Sequence, residues 1–205
     1  MSNNKLFVST KNETVRMFDS NFMEFFSHVH PATPAILYAP VIGLMLYLSF
    51  AHKKLSVLAV AIFFILGVLV WTLLEYVIHR YVFHYEPKTR WGKMLHFIMH
   101  GVHHDYPNDA TRLVMPPVIS IPLAVVFYLV FWLTLGRFAP ATLAGFGFGY
   151  VCYDTIHYAT HHFSMKHGIW RWLKQYHLRH HYHDDHAGYG VSSPLWDYVF
   201  KTTRK

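Results

Sequence analysis

Histidine is the residue type whose number and spacing could do chemistry in this sequence. The 205 residues include 18 histidines, as many as all lysines and arginines together, beside 11 acidic residues and one cysteine. Imidazole nitrogens bind Fe, Zn and Cu, so clustered histidines point to a metal site. Fourteen of them form four groups: His79 and His84; His96, His100, His103 and His104; His157, His161 and His162; His177, His180, His181, His183 and His186.

The spacing inside the groups predicts that several rings share helical faces. An HxxHH pattern occurs at His100 to His104 and again at His177 to His181, and His157 is followed four residues later by His161. Residues three and four apart lie on one face of an α-helix. His79 and His84 are five residues apart, which does not fit a regular helix. We therefore expect a widened or broken helix end at that point.

The number of candidate rings favours two metal ions over one. A tetrahedral zinc site uses four ligands, and the candidates suit two ions with about five ligands each. A lone histidine is more often a hydrogen-bonded packing residue than a ligand. Burying this many rings together without a cation would leave polar nitrogens unpaired, however, and that cost disfavours the packing interpretation for the whole set.

The elements that must position these histidines are predicted to be membrane helices. The chain is 53% hydrophobic and only 14% charged. A bilayer crossing takes about 20 apolar helical residues, and two very short turns join the candidate spans in pairs. The fold class expected is therefore all-α and integral to a membrane, with four transmembrane helices as two hairpins. The four spans are residues Pro34 to Ala51, Leu55 to Ile78, Leu113 to Leu135 and Phe138 to Tyr158.

Two hairpins would place the histidine groups on one side of the membrane. That side carries 15 of the 18 lysines and arginines, so the positive-inside rule predicts that it is cytosolic. We predict one domain over residues 1–205: an interfacial N-terminal segment at 1–33, four spans within 34–158 with a cytosolic insert at 79–112, and a cytosolic helical cap at 159–205. The membrane is either a bacterial inner membrane or the endoplasmic reticulum.

Aromatic residues flank the predicted spans. Phe22, Phe25 and Phe26 precede the first span at near-helical spacing, and Trp170 and Trp172 follow the last. Such residues either lie on the membrane surface or pack against the rest of the protein, and the sequence leaves both open. The net charge of +7 comes from scattered residues rather than a basic run, so no nucleic acid partner is predicted.

Six segments resemble the fatty acid hydroxylase superfamily, the membrane histidine-cluster oxidases that include sterol oxidases and fatty acid 2-hydroxylases. The resemblance covers about residues 70 to 203 and is strongest to the 2-hydroxylases. The segments are HRYVFH at 79–84, LHFIMHGVHH at 95–104, RLVMPP at 112–117, GYVCYDTIHYATH at 149–161, HLRHH at 177–181 and GYGVSSPLWDYVF at 188–200.

The resemblance implies ten metal ligands, and the positions of other residues relative to these ligands suggest which of them support the site. His96 and His162 do not match ligand positions, and we expect them to orient ligand rings, as we do for Glu75, one turn before His79. Asp154, one turn before His157, is a candidate for the same role or for substrate contact, and an ordinary helix-end hydrogen bond is an equally open interpretation. No substrate-binding residue is predicted beyond it. The implied ligands are His79, His84, His100, His103, His104, His157, His161, His177, His180 and His181.

The implied activity is hydroxylation of a lipid acyl chain by dioxygen at a di-iron centre, with zinc able to occupy the site in purified protein. C2 of a fatty acid or of a sphingolipid N-acyl chain is the expected position. Many eukaryotic relatives carry an N-terminal cytochrome b5 domain that these residues do not match, so a separate b5-like protein or a ferredoxin with its reductase is the expected electron donor. Alternatives are a sterol or carotenoid oxidase or desaturase of the same superfamily, a metal transporter, and a structural zinc site.

Overall fold

The computed structural model describes residues 6–203, and every regular element within them is helical. Residues 1–5 and 204–205, which belong to the predicted N-terminal segment and cap, lie outside the described residues. Two π-helical stretches, His79–Phe83 and Phe97–Gly101, and a 3₁₀ turn, Gly136–Phe138, interrupt the α-helices. The α-helices are α1 Asn21–Ser27, α2 Thr33–Ala51, α3 Val57–Ile78, α4 Arg90–His96, α5 Val102–Asp105, α6 Pro117–Leu135, α7 Ala139–His162, α8 Gly168–Tyr182 and α9 Leu195–Val199.

Within residues 6–203, three segments are long and apolar enough to cross a membrane: Thr33–Ala51, Val57–Phe83 and Pro117–His162. The third has 46 residues, and a helix of that length would extend about 69 Å, more than twice the roughly 30 Å of a bilayer core. It is divided at Gly136, whose φ of 54° ends α6. Rings of α6 then contact a ring of α7, since the centroids of Phe127 and Phe146 are 4.6 Å apart. The chain therefore folds back on itself inside this segment.

Helix α7 is the centre of the bundle and contacts α2, α3 and α6. Its approach to α3 is close enough to require glycine on both helices. A Cβ atom at Gly145 would lie 1.9 Å from the carbonyl oxygen of Phe64, and one at Gly67 would lie 2.0 Å from that of Thr142. On its other side, the ring of Tyr150 meets that of Tyr38 in α2 at 5.2 Å. Helices α3 and α7 are thus held in a fixed relation, and both continue into histidine-bearing ends.

The two hairpin turns meet at the end of the bundle that is remote from the four histidine groups. Phe63, near the start of α3, stacks on Phe138 of the 3₁₀ turn with centroids 4.1 Å apart. At the other end, the Val29 N–H donates to the Thr111 carbonyl at 2.8 Å, which joins the segments that lead into α2 and α6. The C-terminal ends of α3 and α7 lie there as well. This arrangement gathers the histidine groups at one end.

The start of the third predicted span is wrong by four residues. Helix α6 begins at Pro117 with Pro116 as its N-cap, and residues 113–116 precede the helix. Proline at the first helical position loses no hydrogen bond, and the residue before a proline is disfavoured in helical geometry. These two prolines therefore begin the helix, and only Pro122 lies inside it. Helix α7, which corresponds to the fourth predicted span, also continues beyond Tyr158, to His162.

Apolar side chains cover much of the outer surface of the bundle. Val57, Leu58, Ile65 and Leu133 are all more than half exposed. Contiguous apolar surface of this kind is the expected exterior of a protein that faces lipid. Together with the three long apolar segments, it indicates a membrane protein.

Three of the five aromatic residues that flank the spans are more than half exposed. In α1, Phe22 and Phe25 are each 73% exposed, and in α8 Trp170 is 52% exposed. Of the two interpretations left open by the sequence, burial against the protein is therefore wrong for these rings. Their exposure agrees with a position at the membrane surface.

Candidate metal centre

The five-residue spacing of His79 and His84 is accommodated by a π-helical turn, which confirms the widened helix end predicted from the sequence. The His84 N–H donates to the His79 carbonyl at 3.2 Å, a hydrogen bond across five residues instead of four. One extra residue in the turn brings residue i+5 to the face that i+4 occupies in an α-helix. The Nε2 atoms of the two rings lie 3.3 Å apart as a result.

The ten predicted ligands form two groups of five, and within each group the nitrogen atoms lie within 4.8 Å of one another. We call them group A and group B. Group A consists of His79, His84, His100, His104 and His180. Group B consists of His103, His157, His161, His177 and His181.

Each HxxHH repeat contributes to both groups. In the first repeat, His100 and His104 belong to group A and His103 to group B. The second repeat is reversed, with its i, i+4 pair in group B and the intervening His180 in group A. Adjacent residues on a helix point about 100° apart, so neighbouring histidines diverge towards different groups. Each group therefore contains two pairs of rings and one single ring. Each pair is carried by one helical segment, and the single ring comes from the HxxHH repeat that supplies its pair to the other group.

The distances between nitrogen atoms fit metal ligation. In group A, the Nε2 atom of His79 lies 3.1 Å from that of His100, and that of His84 lies 3.0 Å from that of His180. In group B, the Nε2 atoms of His161 and His177 are 2.9 Å apart. Ligands at about 2.0–2.1 Å from one ion are separated by about 2.9–3.4 Å for angles between 90° and tetrahedral. The observed separations are those of neighbouring corners around a cation.

The hydrogen bonds of the outward nitrogens show why a cation fits. The Nδ1 atom of His79 lies 2.5 Å from the Tyr189 carbonyl oxygen, and that of His180 lies 3.0 Å from the Ala187 carbonyl oxygen. A carbonyl only accepts, so each ring must donate its Nδ1–H. The Nε2 atom of each neutral ring then carries a lone pair that points at other nitrogen atoms. A metal ion between the rings would accept these lone pairs.

Burial keeps these rings neutral. Desolvation, followed by the neighbouring His79, lowers the pKa of His84 to about 3. Desolvation likewise lowers the pKa of His100 and of His103 well below the ordinary value, with smaller contributions from His104 and His157 respectively. Metal ligands must be unprotonated imidazoles. The site is therefore prepared to receive cations without first releasing protons.

Glu75 is buried in α3 and accepts hydrogen bonds from the loop that precedes α9. Its Oε1 accepts from the backbone N–H groups of Val191 and Ser192 at 2.7 and 2.8 Å, and its Oε2 accepts from the Ser192 hydroxyl at 2.5 Å. The same loop supplies the Tyr189 carbonyl that accepts from His79. The Glu75 carboxylate thus contacts the loop that accepts from His79, and not the His79 ring itself.

The other predicted supporting residues lie close to the two groups. His96 lines a cavity beside group A, and His162 stacks on Tyr158 with centroids 4.5 Å apart. Asp154 is buried one turn before His157, beside Tyr150. The orienting roles of His96 and His162 and the two roles considered for Asp154 stay predictions.

A cavity of about 390 Å³ opens beside group A. His84, His100 and His104 form part of its wall, together with the apolar side chains of Phe83 and Phe97. Polar and charged side chains line much of the rest of it, among them Glu86, Lys93, Asp105 and Asp185. The cavity joins the candidate metal centre to a polar surface.

Asp197 was missed by sequence reasoning. Its side chain is completely buried, and its two oxygens accept from the backbone N–H groups of Tyr189 and Gly190 at 2.9 and 2.7 Å. The residue lies within the GYGVSSPLWDYVF segment, but an acid that binds backbone amides has no characteristic spacing. Only the folded loop shows what it contacts.

Comparison with known proteins agrees with this geometry. The fatty acid hydroxylase family matches residues 64–202. A dihydroceramide fatty acyl 2-hydroxylase of Arabidopsis thaliana is 43% identical over 192 residues, covering 93% of this chain and 80% of that protein. The ceramide very long chain fatty acid hydroxylase of Saccharomyces cerevisiae is 40% identical, over 89% of this chain and 48% of that protein.

A solved structure has the same fold. It is that of full-length scs7p, in which only the hydroxylase domain is visible, and it superimposes with a TM-score of 0.84 at 38% identity, covering 90% of this chain and 70% of that one. The helical bundle, the two histidine groups and the match over most of the chain lead to one conclusion. The chain belongs to the fatty acid hydroxylase family.

Proposed function

We propose that this protein hydroxylates a lipid acyl chain with dioxygen, at C2 of a fatty acid or of the N-acyl chain of a sphingolipid. The observation that carries the proposal is the pair of five-histidine groups at one end of an apolar bundle. Relatives 35–43% identical are 2-hydroxylases of fatty acids or of dihydroceramide acyl chains. Nothing in the geometry of the site conflicts with that chemistry.

Two iron ions are the proposed cofactor, one in each group, although zinc has similar ligand preferences and can occupy such a site after purification. When bound, the iron pair would supply the activation of dioxygen that an unactivated C–H bond requires. The protein holds the ions through ten neutral imidazoles. Apart from His84, these rings are buried or nearly so, which limits the access of bulk water to the centre.

The cavity beside group A is the proposed position of the polar end of the substrate. Its charged wall suits a head group, and its phenylalanine side chains suit the first carbons of an acyl chain. Hydroxylation at C2 requires the head group to stay near the metal ligands, because C2 is adjacent to the carbonyl carbon. Asp154 is a proposed supporting or substrate-contacting residue, since it is buried one helical turn from His157.

We propose four membrane crossings, formed by α2, α3, α6 and α7, with the histidine groups on the cytosolic side in a single domain. The folding back of Pro117–His162 supports four crossings, and the charge distribution supports the orientation. Electrons are proposed to come from a separate b5-like protein or a ferredoxin with its reductase. A net charge of +7 favours an acidic carrier.

Expression in a host that lacks 2-hydroxy fatty acids tests the proposal. Hydrolysed lipids are profiled by mass spectrometry for the wild type and for a His180→Ala, His181→Ala variant, which loses one ring from each group. His30→Ala is the matched control, because His30 is exposed and belongs to neither group. We expect 2-hydroxyacyl chains with the wild type and with the control only. An unchanged profile with iron bound and a competent reductase supplied would contradict acyl 2-hydroxylation and favour a sterol or carotenoid substrate.

A further inference from the structure

The loop of residues 187–192 connects two buried carboxylates to the ligands of one ion only. We propose that Asp197 and Glu75 are positioning residues that hold this loop, and that they thereby set the metal affinity of group A and leave that of group B unchanged. The inference rests on the proposed two-ion centre and adds residues that bind no metal themselves.

The loop contacts two of the predicted ligands directly. The Tyr189 and Ala187 carbonyls accept from His79 and His180, and both rings belong to group A. Each hydrogen bond fixes the rotation of its ring and selects the tautomer whose Nε2 is free to bind. A shift of the loop would therefore turn two of the five rings of group A.

The loop is itself held by hydrogen bonds from its backbone N–H groups. Four consecutive backbone N–H groups, from Tyr189 to Ser192, donate to the two carboxylates, the first pair to Asp197 and the second pair to Glu75. The Thr202 hydroxyl also donates to Asp197, at 2.8 Å. The loop is not a regular helix or strand, so these side chains replace the hydrogen bonds that regular structure would give its amides.

Three rings of group B differ from His79 and His180 in what holds them. The Nδ1 atoms of His161, His177 and His181 make no hydrogen bond to other described residues. These three rings are carried by α7 and α8, and α7 is buried along much of its length. Helix packing, rather than a loop, fixes their direction. Loosening the loop should therefore leave group B in place.

Replacing each carboxylate by the corresponding amide should have opposite effects on the loop at the two positions. In Asp197→Asn, one of the two side-chain atoms that face Tyr189 N–H and Gly190 N–H becomes a donor, so a donor meets a donor in either orientation. In Glu75→Gln, the amide oxygen can still accept from both backbone groups, and its NH₂ can donate to the Ser192 hydroxyl. We expect Asp197→Asn to loosen the loop and Glu75→Gln to preserve it.

The test is metal binding measured on the full-length protein in detergent. Zn²⁺ per chain is counted by elemental mass spectrometry, and affinity is determined by competition with a chelator. We expect the wild type and Glu75→Gln to bind two ions alike, and Asp197→Asn to bind one of the two about 10- to 100-fold more weakly, as other changes around ligand rings do. Asp109→Asn is the control, since Asp109 is an equally buried acid that contacts Thr111 rather than the loop.

Combination with ligand variants assigns the weakened ion. With His161→Ala, which damages group B, Asp197→Asn should weaken the ion that remains. With His84→Ala, which damages group A, it should have no further effect on the ion that remains. Ser192→Ala, which removes only the hydroxyl bond to Glu75, is a milder variant for use if Asp197→Asn does not fold, and it should weaken the same ion by a smaller factor.

The outcomes separate the inference from the function on which it rests. A wild type that binds fewer than two ions would overturn the proposed centre and this inference with it. If the wild type binds two ions and Asp197→Asn or Ser192→Ala binds both of them as tightly as the wild type does, the inference alone is overturned. Equal weakening of both ions in a folded variant would also overturn it.

Discussion

The substitution Gly145→Ala should separate the two helices that carry ligands of different groups. A Cβ at this position would lie 1.9 Å from the Phe64 carbonyl oxygen. Restoring ordinary contact at about 3.4 Å requires α3 and α7 to move apart by about 1.5 Å, because the obstacle is backbone and cannot rotate away. Helix α3 leads into His79, and α7 carries His157 and His161.

The magnitude follows from two opposing effects. Overpacking a close contact costs about 1–3 kcal/mol, and sometimes more. Alanine gains about 1 kcal/mol over glycine in a helix, which offsets part of that cost. Ligand distances in metal sites hold to about 0.2 Å, so a movement of about 1.5 Å should weaken metal binding beyond the loss of stability. We expect a loss of 2-hydroxylation of about 100-fold, as misplacement by about 1 Å can cause.

Gly147→Ala is the matched control for this prediction. Gly147 lies two residues further along the same helix, where a Cβ would meet only the Ile42 side chain at an ordinary 3.5 Å. The measurements are thermal unfolding in detergent and the yield of 2-hydroxyacyl chains. We expect the control to resemble the wild type in both. If Gly145→Ala is as stable and as active as Gly147→Ala, the close helix approach does not position the centre.

Three further predictions concern stability in detergent. Arg112→Met should lower the free energy of unfolding by about 1.5–3 kcal/mol, the usual contribution of a hydrogen bond to a charged group. It removes the ion pair with Glu24 at 2.5 Å, while the Glu24 carboxylate keeps the backbone N–H groups of Met17 and Phe18. A loss no larger than that of the exposed Arg137→Met would contradict this. The metal-free protein should be less stable at pH 5 than at pH 7.5, and His84 alone should account for about 2 kcal/mol of the difference. The pKa of His84 is about 3 in the folded protein and about 6.5 in the unfolded chain. At pH 5 only the unfolded chain therefore binds a proton at His84, which favours unfolding. Equal unfolding midpoints at the two pH values would refute it. Removing metal with a chelator should lower the unfolding temperature, since each ion at about 100 times its Kd adds about 2.7 kcal/mol; an unchanged temperature would argue against ions that bind the folded state.

Much of the centre could be predicted because its signal is local. Helical periodicity places His100 and His104 on one face, and the five-residue gap between His79 and His84 predicts the irregular turn that the structure contains. The division of each HxxHH repeat between groups A and B was not predicted. It depends on how four helical segments converge, and the sequence does not specify that convergence.

What the sequence could not predict depends on irregular backbone. Asp197 and the loop before α9 interact through backbone amides, which every residue has, so no residue pattern marks the contact. The start of α6 was misplaced because apolar composition continues through Leu113 and Val114, whereas the prolines that follow decide where the helix begins. In both cases local geometry, rather than hydrophobicity, decides the structure.

The most direct test of the two-ion centre is an anomalous diffraction measurement at the metal absorption edge, on crystals of the full-length protein. We expect two peaks, one surrounded by the Nε2 atoms of group A and the other by those of group B, each at about 2.0–2.1 Å from its ligands. A single peak, or a peak whose ligands lie outside the ten histidines, would contradict the account.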